Sequence, residues 1–589
     1  MALSIHAQND SLQVEVEQVL IQDKRLEIGY AESSRTINII DRSAIETAPV
    51  QSVAELLQYV AGVDIRRRGI HGIQADISLR GGTFDQVLVM INGVNMSDPQ
   101  TGHHTMNLPV DLEQIERIEV LKGPAARRYG QNAFAGAINI VTRKGEERSM
   151  HLSAQYSQNA SGRISANATL PGERANHSIG FSKTFSEGYR YNTDYTLDNL
   201  FYQSDIAVGK DKILLNAAYT GRTFGANGFY ASPDFVDQYE EIGTSIVSAQ
   251  YQINRGDFKI TPSVYWRRNQ DEYHFVRSNP SIFRNFHIGN TYGAELNGSY
   301  INRLGVLGVG LEFRFDDLAS NNLGERTRTT LGFNMEQRFS LLEGQLDITP
   351  GFAAYSYTDF GARVFPGLDL GYAINDDIKV YGNIGSTWRV PTYTDLFYED
   401  RANLGNPELE PETALTTEIG VKYKNRNVDV QISGFRRNST NLIDWSKETE
   451  DEKWFPSNIG EVNVTGVELN SNFTINHRLR LTANFTRLEG ENNVDAIISR
   501  YALDLVSNHV VAGAQMSFSD YIKSSVYLRY VDRLNLDNYS VVDARVGYYG
   551  KSMQVSVFAS NLFDAAFTET NLVPMPGRWM GITVGYSYR

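Results

Sequence analysis

From about residue 146 onward, hydrophobic and polar residues alternate along the chain with a period of two. In residues 479–488, Leu479, Leu481 and Phe485 fall on one face of an extended strand, and the residues between them are mostly polar. The same alternation occurs in SVYLRY, MQVSVFAS and GITVGYSY. Alternation over about ten residues, with aromatic residues near the ends, is typical of strands that cross a membrane between lipid and a polar lumen. Strands of soluble proteins usually span about five or six residues. At roughly 20 residues per strand and connection, residues 146–589 predict a membrane β-barrel of about 22 antiparallel strands.

The residues before 146 follow a different pattern. Residues 43–60 place hydrophobic side chains at helical spacing from Val53 onward, as an amphipathic helix does. Short apolar stretches that end at glycine or proline follow, namely GVDI, ADISL, DQVLVMI and IERIEVL, and these predict strands. Residues 31–145 are therefore expected to form a mixed α/β domain. Because a barrel of this size would leave an open channel, we expect this domain to fill the lumen as a plug.

The segment VLKGPAARRYGQNAFAGAINIVTRKG, residues 120–145, contains two apolar runs separated by a Gly-Pro break, a short basic stretch and several small residues. Gly123 and Pro124 are expected to end a strand and begin a short helix, because proline is tolerated in the first helical turn. Gly130 is expected to close that helix with a positive φ. Gly136 would allow close packing at the start of the next strand.

Composition narrows the class of protein. The chain has 589 residues, a net charge of −14 and no cysteine. The negative charge argues against nucleic acid as a partner, and the absence of cysteine excludes disulfides and thiolate metal sites. The chain contains no run of about 18 uncharged apolar residues, so a bundle of membrane-spanning helices is excluded. We find no phosphate loop, nucleophile elbow or metalloprotease motif, and no enzymatic activity is expected.

The N-terminus contains further signals. Residues 1–8 include an apolar run that ends at Ala7, and we interpret them as the remnant of a secretory signal; a flexible tail is the alternative. Residues 9–30 are expected to form an N-terminal periplasmic segment.

Three segments carry a resemblance to a known family. The stretch IERIEVLKGPAARRYGQNAFAGAINIVTRKG, together with VLVMINGV before it, resembles the plug of TonB-dependent outer-membrane receptors. The stretches GSTWRVPTYTDLFYEDRANLGNPELEPE (385–412) and NLFDAAFTETNLVPMPGRWMGITVGYSYR (561–589) resemble segments of the barrel in that family. The resemblance implies a multi-pass barrel in the outer membrane of a Gram-negative bacterium, in contact with lipid and lipopolysaccharide, that imports a scarce ligand.

The resemblance also implies a partner that supplies energy. In this family an extended N-terminal segment adds as a strand to TonB, which couples to an energising complex in the inner membrane; strand addition of this kind requires an accessible, β-prone segment. The candidate TonB box comprises Val14, Glu15, Val16, Glu17, Gln18 and Val19. A first plug strand or a disordered linker is the alternative interpretation.

Two cations of the plug fall where the family pairs plug and barrel. Arg80 in ISLRGG and Lys122 in VLKGP are expected to contact acidic residues of the barrel wall. The family usually has arginine at the second position, and lysine lacks the bidentate fork. Solvated charges are the alternative.

Ligand contacts are expected from the plug apex and the barrel loops. The apex candidates are Arg66, Arg67, Arg68, His71, Asp98, Gln100, His103 and His104. The barrel candidates are Tyr230, Tyr393, Asp395, Tyr398 and Arg401. Arginines would suit an anionic ligand, and aromatic rings with polar tips a large, partly apolar one. Polar turns and an interfacial aromatic belt are the alternatives.

The modest loop sizes resemble those of the cobalamin-receptor branch, so cobalamin or a related corrinoid is the first expectation and a ferric siderophore the second. A passive porin or a structural barrel is the alternative from another class. No cofactor is expected to be required. Acidic loops could hold structural Ca²⁺ through Asp194, Asp198, Asp234 and Asp237, unless they are simply solvated. A surface lipoprotein as a further partner is left open.

Overall fold

The computed structural model describes residues 25, 30, 32–130, 132–145, 147–230, 232–492, 498–501, 504–534, 536–570 and 573–588. The N-terminal domain is built from short elements: β1 (Ile37–Ile40), α1 (Arg42–Thr47), α2 (Val53–Leu57), β2 (Val63–Arg67), β3 (Ala75–Leu79), β4 (Val87–Ile91), β5 (Val94–Asn95), β6 (Ile115–Lys122), α3 (Ala126–Tyr129) and β7 (Gly136–Thr142). Single 3₁₀ turns lie at Ile70–Gly72, Phe84–Gln86, Gly102–His104 and Leu112–Gln114.

The plug is a mixed sheet with helices packed on it. Its strands follow the order β1-β6-β7-β4-β5, in which β4 and β7 run parallel and β2 and β3 form a separate hairpin. The helical stretch predicted within residues 43–60 is divided into α1 and α2 around Pro49, whose ring cannot continue a helix. Ser52 caps α2 by accepting a hydrogen bond from the backbone N–H of Glu55. The mixed α/β plug predicted from sequence is confirmed.

The remaining strands follow in chain order, with one more 3₁₀ turn at Leu342–Gly344 and helix α4 (Tyr393–Phe397) in a connection. They are β8 (Ser149–Ser157), β9 (Ser161–Leu170), β10 (Ala175–Ser186), β11 (Tyr195–Val208), β12 (Asp211–Gly225), β13 (Tyr239–Arg255), β14 (Phe258–His274), β15 (Arg284–Asn302), β16 (Gly305–Ser320), β17 (Gly324–Leu341), β18 (Leu346–Tyr357), β19 (Gly361–Ala373), β20 (Ile378–Arg389), β21 (Glu412–Lys424), β22 (Val428–Thr440), β23 (Ile443–Lys447), β24 (Phe455–Asn458), β25 (Glu461–Asn476), β26 (Leu479–Asn492), β27 (Ile498–Ser499), β28 (Val506–Ser517), β29 (Ile522–Arg533), β30 (Leu536–Tyr549), β31 (Met553–Ser560), β32 (Thr568–Thr570), β33 (Val573–Pro574) and β34 (Trp579–Tyr588).

Within the described ranges, 22 of these strands form one closed antiparallel barrel. Each barrel strand pairs with the next along the chain, and β34 closes the ring by pairing with β8, from Gly581 opposite Ser157 to Tyr588 opposite Met150. The five short strands β23, β24, β27, β32 and β33 lie in connections outside the ring. The predicted fold class is confirmed.

The distribution of side chains is inverted relative to a soluble protein. Along β21 the polar residues Thr416, Glu418 and Lys422 point inward and are buried, whereas Leu415 and Ile419 on the opposite face are 45% and 65% exposed. Such outward apolar side chains avoid water only in contact with lipid. Exposed tyrosines near the short turns form an aromatic belt, as at membrane interfaces: Tyr300, Tyr372, Tyr521, Tyr548, Tyr586 and Tyr588. The outer surface of the barrel therefore faces a bilayer.

Among the residues that the structure describes, no helix has both the length and the apolar character needed to cross a bilayer.

The glycine-rich segment of the plug has the predicted shape. Strand β6 ends at Lys122, and α3 begins shortly after Pro124. Gly130 follows α3 with φ of 89°. At Gly136, φ is 157°, and a Cβ atom would come within 2.4 Å of the Leu121 carbonyl oxygen. A side chain at this position would push β6 and β7 apart.

The two ends of the barrel differ in the length of their connections. At one end the turns are short, as between Val208 and Asp211. At the other end the connections are long, and residues 390–411 carry α4. The backbone N–H of Tyr393 on α4 donates to the Pro99 carbonyl, 2.9 Å away. The plug loop of residues 95–107 therefore lies at the end with long loops, which in membrane barrels of this type is extracellular.

Candidate functional site

Four buried charges join the plug to the barrel wall in what we call the balanced cluster: Arg80, Lys122, Glu418 and Glu468. Arg80 donates to Glu468 at 2.9 Å and to Glu418 at 3.1 Å, and Lys122 Nζ lies 3.1 Å from Glu468. All four side chains are at most 2% exposed. Arg80 has φ of 51°, and its backbone N–H donates to the Gly62 carbonyl. Burial lowers the pKa of Lys122 to about 8, although Glu468 opposes this shift.

Arginines near the N-terminus and in the AARR sequence make further contacts with the barrel. Arg35 and Arg127 both reach Asp369, at 2.8 Å and 2.6 Å. Arg128 lies 3.2 Å from Glu336. The sequence showed a short basic stretch here, but its partners lie more than 200 residues away in the chain.

A second junction, the acidic cluster, comprises Asp85 of the plug with Arg389, Asp395 and Glu412 of the barrel. Arg389 donates to Glu412 at 2.8 Å and 3.0 Å. It lies 3.6 Å from Asp85 and 3.7 Å from Asp395. One cation thus faces three carboxyls. Burial raises the pKa of Asp85; Asp395 and Glu412 add to this effect and Arg389 opposes it.

The three apex arginines are each neutralised by a carboxylate. The closest pairs are Arg66–Asp504 at 3.0 Å, Arg67–Glu569 at 2.6 Å and Arg68–Asp76 at 2.6 Å. An anionic ligand would have to displace one of these carboxylates to bind a guanidinium. The arginine cluster is therefore a set of ion pairs, two of which connect the plug to barrel loops.

The histidines of the apex have separate environments. His71 lies 3.3 Å from Glu55 and packs edge-on against Trp579. His103 bonds to Asp76 at 2.7 Å and stacks on Phe84 with ring centroids 4.1 Å apart. Burial lowers the pKa of His103, although Asp76 opposes the shift.

His104 points instead to the barrel wall. Its Nδ1 atom lies 3.0 Å from the Asn269 amide nitrogen, and its Nε2 atom lies 3.7 Å from Asp271. Asp98 accepts from Arg267 at 3.0 Å, and Gln100 lies 3.5 Å from Asp271. The structure therefore places three of the predicted apex residues, His104, Asp98 and Gln100, around one polar junction.

The predicted barrel-loop residues are more dispersed. Tyr393 is 2% exposed and Asp395 is also buried, where it accepts from the Trp445 indole at 3.1 Å. Tyr398 is half-buried and contacts Asn285 at 3.1 Å. Arg401 is exposed. Tyr393 and Asp395 therefore support the loop structure, whereas Tyr398 and Arg401 are nearer to solvent.

A half-exposed aromatic and basic surface lies above the plug apex. We call it the apex patch, and it comprises His103, Tyr230, Trp454, Arg500 and Tyr501. Arg500 lies over the rings of Trp454 and Tyr501 at 5.4 Å and 5.5 Å and donates to the Tyr230 carbonyl at 3.1 Å. The Tyr501 ring lies 5.9 Å from that of His103. Three barrel loops and the plug thus converge on one surface.

Only part of the apex patch was predictable from the sequence. His103 and Tyr230 were predicted, whereas Trp454, Arg500 and Tyr501 were not. Arg500 and Tyr501 follow the residues ENNVDAIIS in a loop with no family motif. The adjacent Arg500 and Tyr501 in SRY could have indicated this surface, because arginine commonly packs on the face of a tyrosine ring.

The proposed calcium ligands do not converge. Arg277 donates to Asp194 at 2.6 Å and 2.8 Å, and its backbone N–H donates to the Asp237 carbonyl. Asp198 pairs with Lys183 at 3.1 Å, and Asp234 accepts from Ser232. Arg277 thus pairs with Asp194 through its guanidinium and with Asp237 through its backbone, and calcium at these residues stays a prediction. The candidate TonB box at residues 14–19 lies outside the described residues.

This geometry defines a class of protein: an outer-membrane barrel of 22 strands whose lumen is filled by a domain anchored through buried ion pairs. Family models identify the class further. The barrel model "TonB dependent receptor-like, beta-barrel" matches residues 171–562, and the "TonB-dependent Receptor Plug Domain" model matches residues 31–137. The chain belongs to the TonB-dependent receptor family of the Gram-negative outer membrane.

Known relatives match over nearly the full length. The vitamin B12 transporter BtuB of Vibrio cholerae serotype O1 is 23% identical over 97% of this chain and 95% of its own. An iron-regulated outer membrane virulence protein of the same species is 23% identical over 95% of this chain and 94% of its own. Among solved structures, the siderophore receptor PirA of Acinetobacter baumannii superposes with a TM-score of 0.79 at 15% identity, covering 97% of this chain and 100% of PirA.

Proposed function

We propose that this receptor imports a corrinoid, cobalamin or a close relative, across the outer membrane. The observation that carries the proposal is the match to vitamin B12 transporters over 97% of this chain and 95% of theirs. The match extends through both plug and barrel, so it includes the loops at the extracellular end.

The apex patch is the proposed contact surface. A corrinoid is large, carries neutral amide side chains and presents a broad, partly apolar face. Aromatic rings with polar tips bind such a ligand through both parts, and Tyr230, Tyr501 and Trp454 provide them at half-exposed positions. The neutralised apex arginines fit a ligand with little net charge better than a strongly anionic one.

Energy for release is proposed to come from TonB. The candidate segment of residues 14–19 would add as a strand to TonB, and force on it would be transmitted to the plug. The buried ion pairs at Arg80 and Lys122 would resist this force until part of the plug yields.

Calorimetric titration of the detergent-purified protein with cobalamin, with and without Ca²⁺, tests the ligand. We expect saturable binding at one site per chain, and no binding of a ferric siderophore in the parallel titration. Binding of the siderophore alone would contradict the proposal. A ferric chelate is the second candidate, which the iron-regulated relative supports.

Deleting residues 14–21 tests the dependence on TonB. Uptake of the ligand by cells should be lost while calorimetric binding stays unchanged. Unchanged uptake would indicate passive diffusion through the barrel and would contradict active import.

A further inference from the structure

Three side chains of types that bind metals meet where the plug apex touches the barrel wall. His104 lies in the 3₁₀ turn Gly102–His104 of the plug, Glu240 on β13 and Asp271 on β14. His104 Nε2 lies 3.7 Å from Asp271 Oδ2 and 4.0 Å from Glu240 Oε1. One ligand atom from each of the three lies within 4.8 Å of the other two, and this is the only such group of three or more found in the described part of the chain. Each side chain is at most 8% exposed.

Among the described residues, neither Glu240 nor Asp271 forms an ion pair with an arginine or a lysine, and His104 is the basic side chain within 4.0 Å of both. The arginines whose charges act on Glu240 are bonded elsewhere: Arg68 pairs with Asp76 at 2.6 Å, and Arg222 donates to the Ile73 carbonyl at 3.0 Å and to the Met106 carbonyl at 3.2 Å. Two buried carboxyls therefore lie beside the His104 imidazole. Burying such a pair is costly unless a proton or a cation accompanies it.

The hydrogen bonds of the two carboxyls leave one oxygen without a donor. Glu240 accepts from the Tyr230 hydroxyl. Asp271 Oδ2 faces the Gln100 amide at 3.5 Å, at the limit of a hydrogen bond, whereas Asp271 Oδ1 is buried and has no hydrogen-bond partner among the described residues. An unpartnered carboxylate oxygen in a buried position is the feature that a bound cation would satisfy.

The spacing suits a small divalent ion. Tetrahedral ligands about 2.1 Å from Zn²⁺ lie roughly 3.4 Å from one another, and the two separations from His104 Nε2 exceed this by a few tenths of an ångström. The other ring nitrogen has outer partners, the Asn269 amide at 3.0 Å and Asp98 at 3.9 Å. With the amide group turned, Asn269 would accept from Nδ1–H and leave Nε2 free for a metal.

We propose that His104, Glu240 and Asp271 form a site for a divalent transition-metal ion that fastens the plug apex to the barrel wall. One imidazole and two carboxylates suit ions such as Zn²⁺ or Mn²⁺, whereas Ca²⁺ requires six to eight oxygen ligands. Because the ligands come from both domains, the ion would tie the plug loop of residues 95–107 to β13 and β14. The apex could then separate from the wall only after the ion leaves.

The test uses the full chain in detergent, stripped with a chelator and titrated calorimetrically with ZnCl₂, MnCl₂ or CaCl₂. We expect one equivalent of Zn²⁺ to bind and to raise the thermal unfolding temperature. The His104→Gln and Asp271→Asn variants should each lose at least tenfold in affinity, the lower end of the loss seen even for outer-shell partners. The matched control is His103→Gln, because His103 lies in the same turn but bonds to Asp76.

Three outcomes would overturn the proposal: no Zn²⁺ binding, equal binding by all variants, or tighter binding of Ca²⁺ than of Zn²⁺. In the first case the two carboxyls share a proton instead.

Heat-dependent gel mobility would check that each variant folds. If a variant fails this check, X-ray absorption at the zinc edge of the unmodified protein decides the question, because it must show one imidazole with oxygen ligands. Since the probe is the metal alone, the result does not depend on which ligand the receptor imports.

Discussion

The plug meets the barrel at two buried charge clusters that differ in their balance. In the balanced cluster, Arg80 and Lys122 face Glu418 and Glu468, two cations against two carboxylates. In the acidic cluster, Arg389 alone faces Asp85, Asp395 and Glu412. The first can keep all its charges at neutral pH, whereas the second requires a proton. The first therefore keeps its charges up to about pH 8, near the pKa of Lys122, whereas the strength of the second already varies at lower pH.

The largest expected effect comes from breaking the balanced cluster. Arg80→Leu leaves Glu418 and Glu468 with Lys122 as their remaining cation, and removing one partner of a buried ion pair costs about 3–5 kcal/mol. The measurement is the urea concentration at which the plug opens, followed as ion conductance of the barrel in a planar bilayer. In the Arg80→Leu variant the plug should open at a lower urea concentration than in the unmodified protein.

Arg487→Ala is the matched control, because its pair with Glu489 is 60% and 66% exposed on the two sides. An exposed pair contributes under about 1 kcal/mol. Equal opening curves for the Arg80 and Arg487 variants would mean that the balanced cluster does not anchor the plug.

An intermediate effect is expected from neutralising the acidic cluster. Burial raises the pKa of Asp85, so the folded protein keeps this proton to a higher pH than the unfolded chain, whose aspartates ionise near pH 4 (about 3.9). The stability contributed by this group falls as pH rises from about 4 toward the raised pKa, and it stays low above that value. The Asp85→Asn substitution mimics the protonated form. At pH 8 the plug of this variant should therefore open at a higher urea concentration than the plug of the unmodified protein.

The same variant should gain little at about pH 4.5, where Asp85 is protonated in the folded protein. Asp234→Asn, an exposed substitution in a loop, serves as the control at both pH values. A gain for Asp85→Asn that is equal at pH 4.5 and pH 8 would exclude the proton as its cause.

The smallest expected effect lies outside both clusters, at the apex patch. Tyr501→Ala removes a ring that contacts His103 and Arg500, and we expect cobalamin to bind about tenfold more weakly, which corresponds to roughly 1.4 kcal/mol. Plug opening in urea should stay unchanged. Phe563→Ala, at a loop position that is 76% exposed, is the calorimetric control. A Tyr501 variant with unaltered affinity would remove this ring from the ligand site.

The alternation of polar and apolar residues predicted the fold, because the sequence of each strand shows which side chains face the lipid and which face the lumen. Leu481 and Phe485 fall on the side opposite to the buried Asn484 and Thr486, as alternation indicated. The turn at Gly130 and the close packing at Gly136 were also predictable, since both depend on backbone conformations that favour glycine.

The candidate site was less predictable because its contacts are long-range. Arg67 is paired with Glu569, 502 residues away, so three consecutive arginines looked like an anion site when they are ion pairs. Trp454 and Arg500 meet only because two loops fold over the plug. Contacts between residues of different loops leave no periodic pattern in the sequence from which they could be predicted.

The closure of the ring between β34 and β8 has a consequence for biogenesis. His151 on β8 and Ser587 on β34 contact each other across 436 residues of sequence. Until β34 arrives, β8 and β31 each present an unpaired backbone edge, which can pair with other chains. Closure over such a separation is slow relative to the local hairpins. A nascent chain that stops before residue 579 therefore keeps two open strand edges, and at these edges it can aggregate.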